Sequence, residues 1–222
     1  MEWEYSGKPS YTILKIKLNT GDWLQAEPGA MVLMKGNIEI KTTTGGGILK
    51  GLLRSIAGSE SIFLNTYIAR GPSEIWLAPG APGDIVYVPL NGNAYIVQNF
   101  AYLASHGNIR FDVEWGGFKG LITEGELLWL KLSGYGGFWI TAYGNIEIVD
   151  LQPGENMTID NFHFVAMNAG TRYNIRKFGG WKSFILGGEG IVADVYGPSR
   201  IYLQTRTLPV FASMIEPYIK SK

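Results

Sequence analysis

An all-β, antiparallel architecture, made of three tandem copies of a short unit about a pseudo-threefold relation with minor helical insertions, is what these 222 residues predict. Three observations carry that expectation. Apolar and polar residues alternate in short runs, glycine and asparagine punctuate the runs, and one set of landmarks occurs three times. Gly21, Gly92 and Gly154 each open a turn, and a polar side chain, Glu27, Gln98 or Asp160, follows six residues later. Eleven residues after each glycine stands an apolar one, Val32, Leu103 or Val165. Gly46-Gly47, Gly116-Gly117 and Gly179-Gly180 come next, 26, 25 and 26 residues from the turn glycine to the second of the pair. A lysine follows each pair (Lys50, Lys119, Lys182), with Phe118 and Trp181 preceding it in the last two copies. Glu60, Glu126 and Glu189 then enter the closing strands. The copies divide the chain into residues 1–80, 81–144 and 145–207, leaving 208–222 as a C-terminal cap.

The alternation places strands at Tyr11 to Leu18, Ile38 to Thr42, Ile62 to Ala69, Ile75 to Ala78, Ile85 to Leu90, Ile109 to Val113 and Leu127 to Leu132. Four more follow at Phe138 to Ala142, Ile146 to Val149, Ile191 to Val195 and Ile201 to Thr205. Asn91-Gly92-Asn93, Leu18-Asn19-Thr20-Gly21 and Gln152-Pro153-Gly154 supply the positive φ that tight hairpins require. One segment departs from the pattern: in Ile48 to Ala57 the residues Ile48, Leu49, Leu52, Leu53 and Ile56 recur at helical spacing. Gly47 to Glu60 spans 13 residues against 9 for Gly117 to Glu126, so this is an insertion in the first copy, capping a β layer or meeting a partner or membrane surface. The tail from Leu208 to Lys222 is expected to be helical in part and to cap the fold or reach a neighbouring subunit.

A unit of 60 to 70 residues is marginal alone, and three fused copies share a core. The chain is 46% hydrophobic, 13% aromatic and 17% charged, the composition of a packed globule. Nineteen basic residues balance nineteen acidic ones, which disfavours non-specific nucleic-acid binding. The absence of cysteine excludes disulfides, thiol catalysis and thiolate metal sites. Met1-Glu2-Trp3-Glu4 has none of the basic and apolar regions of a signal peptide, and no apolar run is long enough to span a membrane. A cytoplasmic protein without a transmembrane segment is the expectation.

Ala26-Glu27-Pro28-Gly29-Ala30-Met31, Gly45-Gly46-Gly47, Glu60-Ser61, Ala78-Pro79-Gly80 with Pro82-Gly83-Asp84, Gly187-Gly188-Glu189-Gly190, and Gly197-Pro198 with Gln204-Thr205 occur in this order across nearly the whole chain. Together they resemble the altered-inheritance-of-mitochondria (mitochondrial biogenesis) family, whose bacterial and archaeal members have no known function. The resemblance implies a unit like that of the trp RNA-binding attenuation protein, a short double-stranded β-helix, present three times and assembling into trimeric rings. It implies no reaction and no cofactor.

Candidate chemistry is sparse. A metal site on such a scaffold needs several histidines and a carboxylate. Only two histidines are present: His163 is matched in the other copies by Ala30 and Ala101, and His106 lies in the turn-like Ser105-His106-Gly107-Asn108. No Gly-x-Ser-x-Gly elbow and no Gly-Lys-Ser or Gly-Lys-Thr P-loop occurs. Glu124 and Glu126 have the spacing of paired acids, but Glu60 and Glu189 repeat Glu126, which points to one structural role filled three times. Glu27, Gln98 and Asp160 read as acceptors satisfying backbone amides at a strand crossing. The glycine pairs beside Lys50, Lys119 and Lys182 could form anion nests, and Phe118-Lys119 with Trp181-Lys182 could stack bases.

The leading functional reading is therefore a non-enzymatic, oligomeric β protein that acts as a scaffold or binding module, self-associating as a homotrimer or ring and open to a protein partner. RNA or nucleotide binding and small-ligand sensing are the alternatives.

Overall fold

Strands make up most of the protein in the computed structural model, which describes residues 1–44, 63–113, 129–178 and 191–219. The first stretch carries β1 (Glu2–Ser6), β2 (Ile13–Leu18), β3 (Trp23–Ala26), β4 (Met31–Lys35), β5 (Ile38–Thr44), β6 (Phe63–Ala69) and β7 (Ser73–Leu77). Three long strands follow, β8 (Ile85–Gln98), β9 (Tyr102–Val113) and β10 (Trp129–Thr141). The last stretch holds β11 (Ile146–Leu151), β12 (Asn156–Asp160), β13 (Phe164–Asn168), β14 (Arg172–Lys177), β15 (Ile191–Tyr196) and β16 (Ser199–Gln204), then a short helix α1 (Leu208–Ile215). All ladders between these strands are antiparallel.

β2 shows why the strands form. In Ile13-Leu-Lys-Ile-Lys-Leu18 the residues Leu14, Ile16 and Leu18 are buried, while Lys15 and Lys17 point the other way, the period of two that a half-covered sheet imposes. Burying each such side chain contributes about 1.5–3 kcal/mol. Three apolar clusters result. Leu14, Ile16, Leu24 and Trp139 belong to one, Val88, Leu90, Phe138 and Tyr202 to another, and Phe164, Met167, Val195 and Ile201 to the third.

Strand order is alike in the three stretches. β2, β7 and β4 lie side by side, as do β3, β6 and β5; the last stretch pairs β11, β16 and β13, and β12, β15 and β14. In the middle, β8, β10 and β9 run together along their whole length in the same order. A bulge also recurs. β4 shifts register against β7 between Met31 and Leu33, β9 against β10 around Leu103, and β13 against β16 between Phe164 and Ala166. The extra residue is Val32, Leu103 or Val165, the apolar position eleven residues after each turn glycine.

Two ladders tie the stretches to one another. Gln25 and Ala26 of β3 oppose Ser105 and Ala104 of β9, and the amide of Glu27 donates to the carbonyl of Leu103 at 3.0 Å. Val97 and Ile96 of β8 oppose Ala166 and Met167 of β13.

The structure differs from the sequence reading at several places. Asn91-Gly92-Asn93 does not turn the chain: Asn91 pairs with Tyr135 and Ala94 with Ser133, so Gly92 and Asn93 face the single residue Gly134 in a bulge, and β8 continues through it. Gly92 keeps its positive φ of 87°, but the bulge absorbs it. Ile109 to Val113 is part of the longer strand β9, and Trp129 to Leu132 and Phe138 to Thr141 are parts of the single strand β10, Leu127 and Leu128 lying outside the described residues. β1, β3, β4, β12, β13 and β14 go beyond the predicted set, being four to six residues long. Finally, the tail is helical over Leu208–Ile215, with none of the helix residues buried, and the Phe211 ring lies 5.6 Å from that of Tyr143. The predicted helix at Ile48 to Ala57 lies outside the described residues.

Candidate functional site

Glu27, Gln98 and Asp160 take the same place in the chain path. Gln98 and Asp160 end strands and Glu27 directly follows one, and each precedes a tight turn: Pro28–Gly29 after Glu27, and one-turn 3-10 helices at Asn99–Ala101 and Asn161–His163 after the other two. Their side chains do different things. The Asp160 carboxylate accepts the amide of Phe162 at 2.9 Å, capping the turn. Gln98 is buried and makes no cap bond. Glu27 is half-buried, and its burial pushes its carboxyl up to about 7. Burial also pushes the phenol of Tyr102 well above the ordinary range, with the neighbouring Glu27 charge adding to the effect; that phenol contacts Ser105 Oγ at 2.8 Å. Among the described residues no hydrogen bond joins the three positions into one polar centre. Lys50, Lys119, Lys182, Phe118, Trp181, Glu60, Glu126 and Glu189 lie outside the described residues.

His106 is not in a turn. It stands within β9 opposite Gly137, because Gly107 and Gly136 allow the two backbones to run past each other at close range. Its Nε2 lies 2.9 Å from the Tyr87 hydroxyl and its ring is within 12° of the Tyr87 plane. Trp3 packs 4.7 Å from Tyr87 and edge-on to Trp139, so β1, β8, β9 and β10 each contribute one ring. Burial, and then the N-terminal ammonium, hold the His106 imidazole below its usual range against an opposing pull from Asp22. A neutral imidazole bonded to a phenol is the product. No spacing in the sequence could have found this group, since its members come from four strands. His163 is a single anchor, its Nδ1 2.6 Å from the carbonyl of Gln204.

An open cleft of about 520 Å³ lies where β11, β13 and β16 meet. Its two charged side chains pair with each other, Arg200 donating to Asp150 through two bonds of 2.7 Å, and Thr171 and Ser199 hydroxyls meet at 2.6 Å. The polar groups thus satisfy one another. Among the described residues no group of three histidine, aspartate or glutamate side chains could hold a metal.

The sheet edges are the remaining feature. β4 ends its sheet beside β7, and β12 ends its sheet beside β15, each with no second neighbour among the described residues. Val32, the bulge residue of β4, is 51% exposed, and Met31 beside it 41%.

Comparison with known sequences bears on all of this. The pattern of the family described as Mitochondrial biogenesis AIM24 matches residues 3–206. The chain belongs to this family. The uncharacterized protein M6_Spy0233 from Streptococcus pyogenes serotype M6 (strain ATCC BAA-946 / MGAS10394) is 30% identical over 217 residues, covering 94% of this chain and 87% of the relative. The crystal structure of protein SPYM3_0169 from Streptococcus pyogenes is similar over 98% of this chain and 99% of its own, with 28% identity and a TM-score of 0.79. The AIM24 match spans β1 to β16 and stops short of α1. Among the described residues, no helix of this AIM24 chain is long and apolar enough to cross a membrane.

Proposed function

We propose that this chain is a non-catalytic cytoplasmic scaffold that works as a homo-oligomer, its body formed by three copies of one short antiparallel unit divided near residues 80 and 144. The unit is of the double-stranded β-helix kind found in the trp RNA-binding attenuation protein. The observation that carries this reading is the coincidence of order and defect. Strand order within each stretch is the same, and so is the place of the bulge at Val32, Leu103 and Val165. Repetition of a structural unit is how extended binding surfaces and assemblies are built, whereas a catalytic centre needs unlike groups converging on one point. Glu27 and His106, two groups whose protonation burial shifts, share no hydrogen bond among the described residues.

Native mass spectrometry tests the reading. The expected spectrum shows multiples of the 24.5 kDa chain. A chain that remains single at working concentration overturns it, as does a turnover that disappears when one polar side chain is changed with the fold intact.

A further inference from the structure

The two ladders between stretches are equivalent, and among the described residues a third of the same kind is missing. In the first, Ala26 opposes Ala104 and Gln25 opposes Ser105; in the second, Val97 opposes Ala166 and Ile96 opposes Met167. Counting from the bulges at Leu103 and Val165, the receiving residues are the first and second after the bulge in both cases. The donating residues are likewise the first and second before Gln98 in one joint and before Glu27 in the other. The receiving position in the opening stretch is Leu33 and Met34 of β4, and the donating position in the closing stretch is Ile159 and Thr158 of β12. Both strands are sheet edges among the described residues.

Burial shows what the missing joint leaves open. Leu103 and Val165 are 0% exposed, whereas Val32 is 51% exposed. Edge strands of soluble proteins are ordinarily protected by charge, proline or a covering element, because unpaired amides and carbonyls recruit another strand. β4 instead presents Met31 and Val32 there, two apolar side chains.

We infer that β4 of one copy receives β12 of a second copy, in the antiparallel register Leu33 opposite Ile159 and Met34 opposite Thr158, with the Asp160 amide donating to the Val32 carbonyl as Glu27 does to Leu103. The occupant is another copy of this chain because β12 already has the form that the two internal joints use. The contact is heterologous, β4 face to β12 face, so each copy keeps one of each edge free until a ring closes. This inference rests on the reading of the chain as an oligomeric scaffold, and it adds the surface and the register.

The absence of cysteine makes the test direct. Two single variants, Met34→Cys and Thr158→Cys, are kept reduced, mixed, and then exposed to oxidant, each variant alone being oxidised in parallel. A disulfide-linked dimer in the mixture, lost on reduction and absent from either variant alone, is the expected result. A cross-link within one variant alone overturns the inference, as does no cross-link while the native mass stays oligomeric; that last result leaves the scaffold reading standing. If the unmodified chain is monomeric, both readings fail. Val32→Asp supplies a second readout, since a charge placed where the joint excludes water weakens self-association by more than about tenfold. The residue is exposed in the single chain, so circular dichroism of the variant at low concentration remains that of the parent. Unchanged assembly of Val32→Asp overturns the proposed joint.

Discussion

Val32 and Leu103 occupy the same bulge in successive stretches of the chain, one half-exposed and the other wholly buried. Leu103 packs in a buried cluster beside β3, and the amide of Glu27, the residue after β3, closes on the Leu103 carbonyl. Truncation should therefore separate them. Leu103→Ala removes buried methyl groups from the cluster that holds Leu24 and Trp139 and is expected to cost about 2–5 kcal/mol. Val32→Ala, measured at low protein concentration so that association does not contribute, is expected to stay within about 0.5 kcal/mol. Urea denaturation of the two variants beside the parent decides the matter, and equal losses would show that Val32 is covered within the chain.

The Gly134-Tyr135-Gly136 string has a steric explanation in the β9 and β10 pair. Gly136 lies at φ 135°, and a Cβ there would stand 2.2 Å from the His106 carbonyl oxygen. Gly154 also has positive φ, 89°, but open space around the position. Gly136→Ala therefore combines backbone strain with a clash, and a loss above about 2 kcal/mol is expected, against about 1 kcal/mol for Gly154→Ala. Thermal melts of both variants test the ordering. A Gly136→Ala protein as stable as Gly154→Ala contradicts the close strand approach.

These two cases show what a sequence reveals of such a fold. The spacing of Gly21, Gly92 and Gly154 and the apolar residues after them marked places that the structure shows to be turns and bulges, because glycine and alternating residues report local backbone needs directly. The same local logic misread Asn91-Gly92-Asn93, whose turn chemistry is spent on a bulge because β10 continues alongside as Gly134-Tyr135. The Tyr87, His106, Trp3 and Trp139 contacts were illegible for a different reason: they depend on register between strands far apart in the chain. Edge status was equally hidden. Nothing in Met31-Val32-Leu33 distinguishes it from Tyr102-Leu103-Ala104 until the neighbouring strands are placed.

Asp160 and Gln98 offer a cleaner separation of structural from other roles. Both end a strand ahead of a 3-10 turn, yet only Asp160 bonds the turn, through the Phe162 amide. Asp160→Ala is expected to lose about 1 kcal/mol, whereas Asp160→Asn, which retains an acceptor, is expected to lose less than half of that. Chemical denaturation of the pair checks the assignment. An alanine variant as stable as the parent would falsify the capping role.

Glu27 and His106 pull the pH dependence of stability in opposite directions. The Glu27 carboxyl is raised to about 7 from 4.5. Between those values the folded chain holds the proton that the unfolded chain has released, so stability falls as pH rises through this window and the loss is complete above it. The whole effect amounts to about 3 kcal/mol, at about 1.36 kcal/mol per pKa unit. His106 is held below 6.5 by burial. As pH falls past 6.5 the unfolded chain takes up the proton first, so its contribution to stability declines on the acid side and is fully present above that value. Glu27→Gln should accordingly be more stable than the parent at pH 8, with the advantage fading towards pH 4.5. His106→Gln should lose the decline below pH 6.5 while sacrificing the Tyr87 bond at every pH. Denaturation midpoints of the parent and both variants, collected from pH 4.5 to 8, separate the two contributions. A Glu27→Gln advantage that does not change with pH rules out ionisation of this carboxyl as its source.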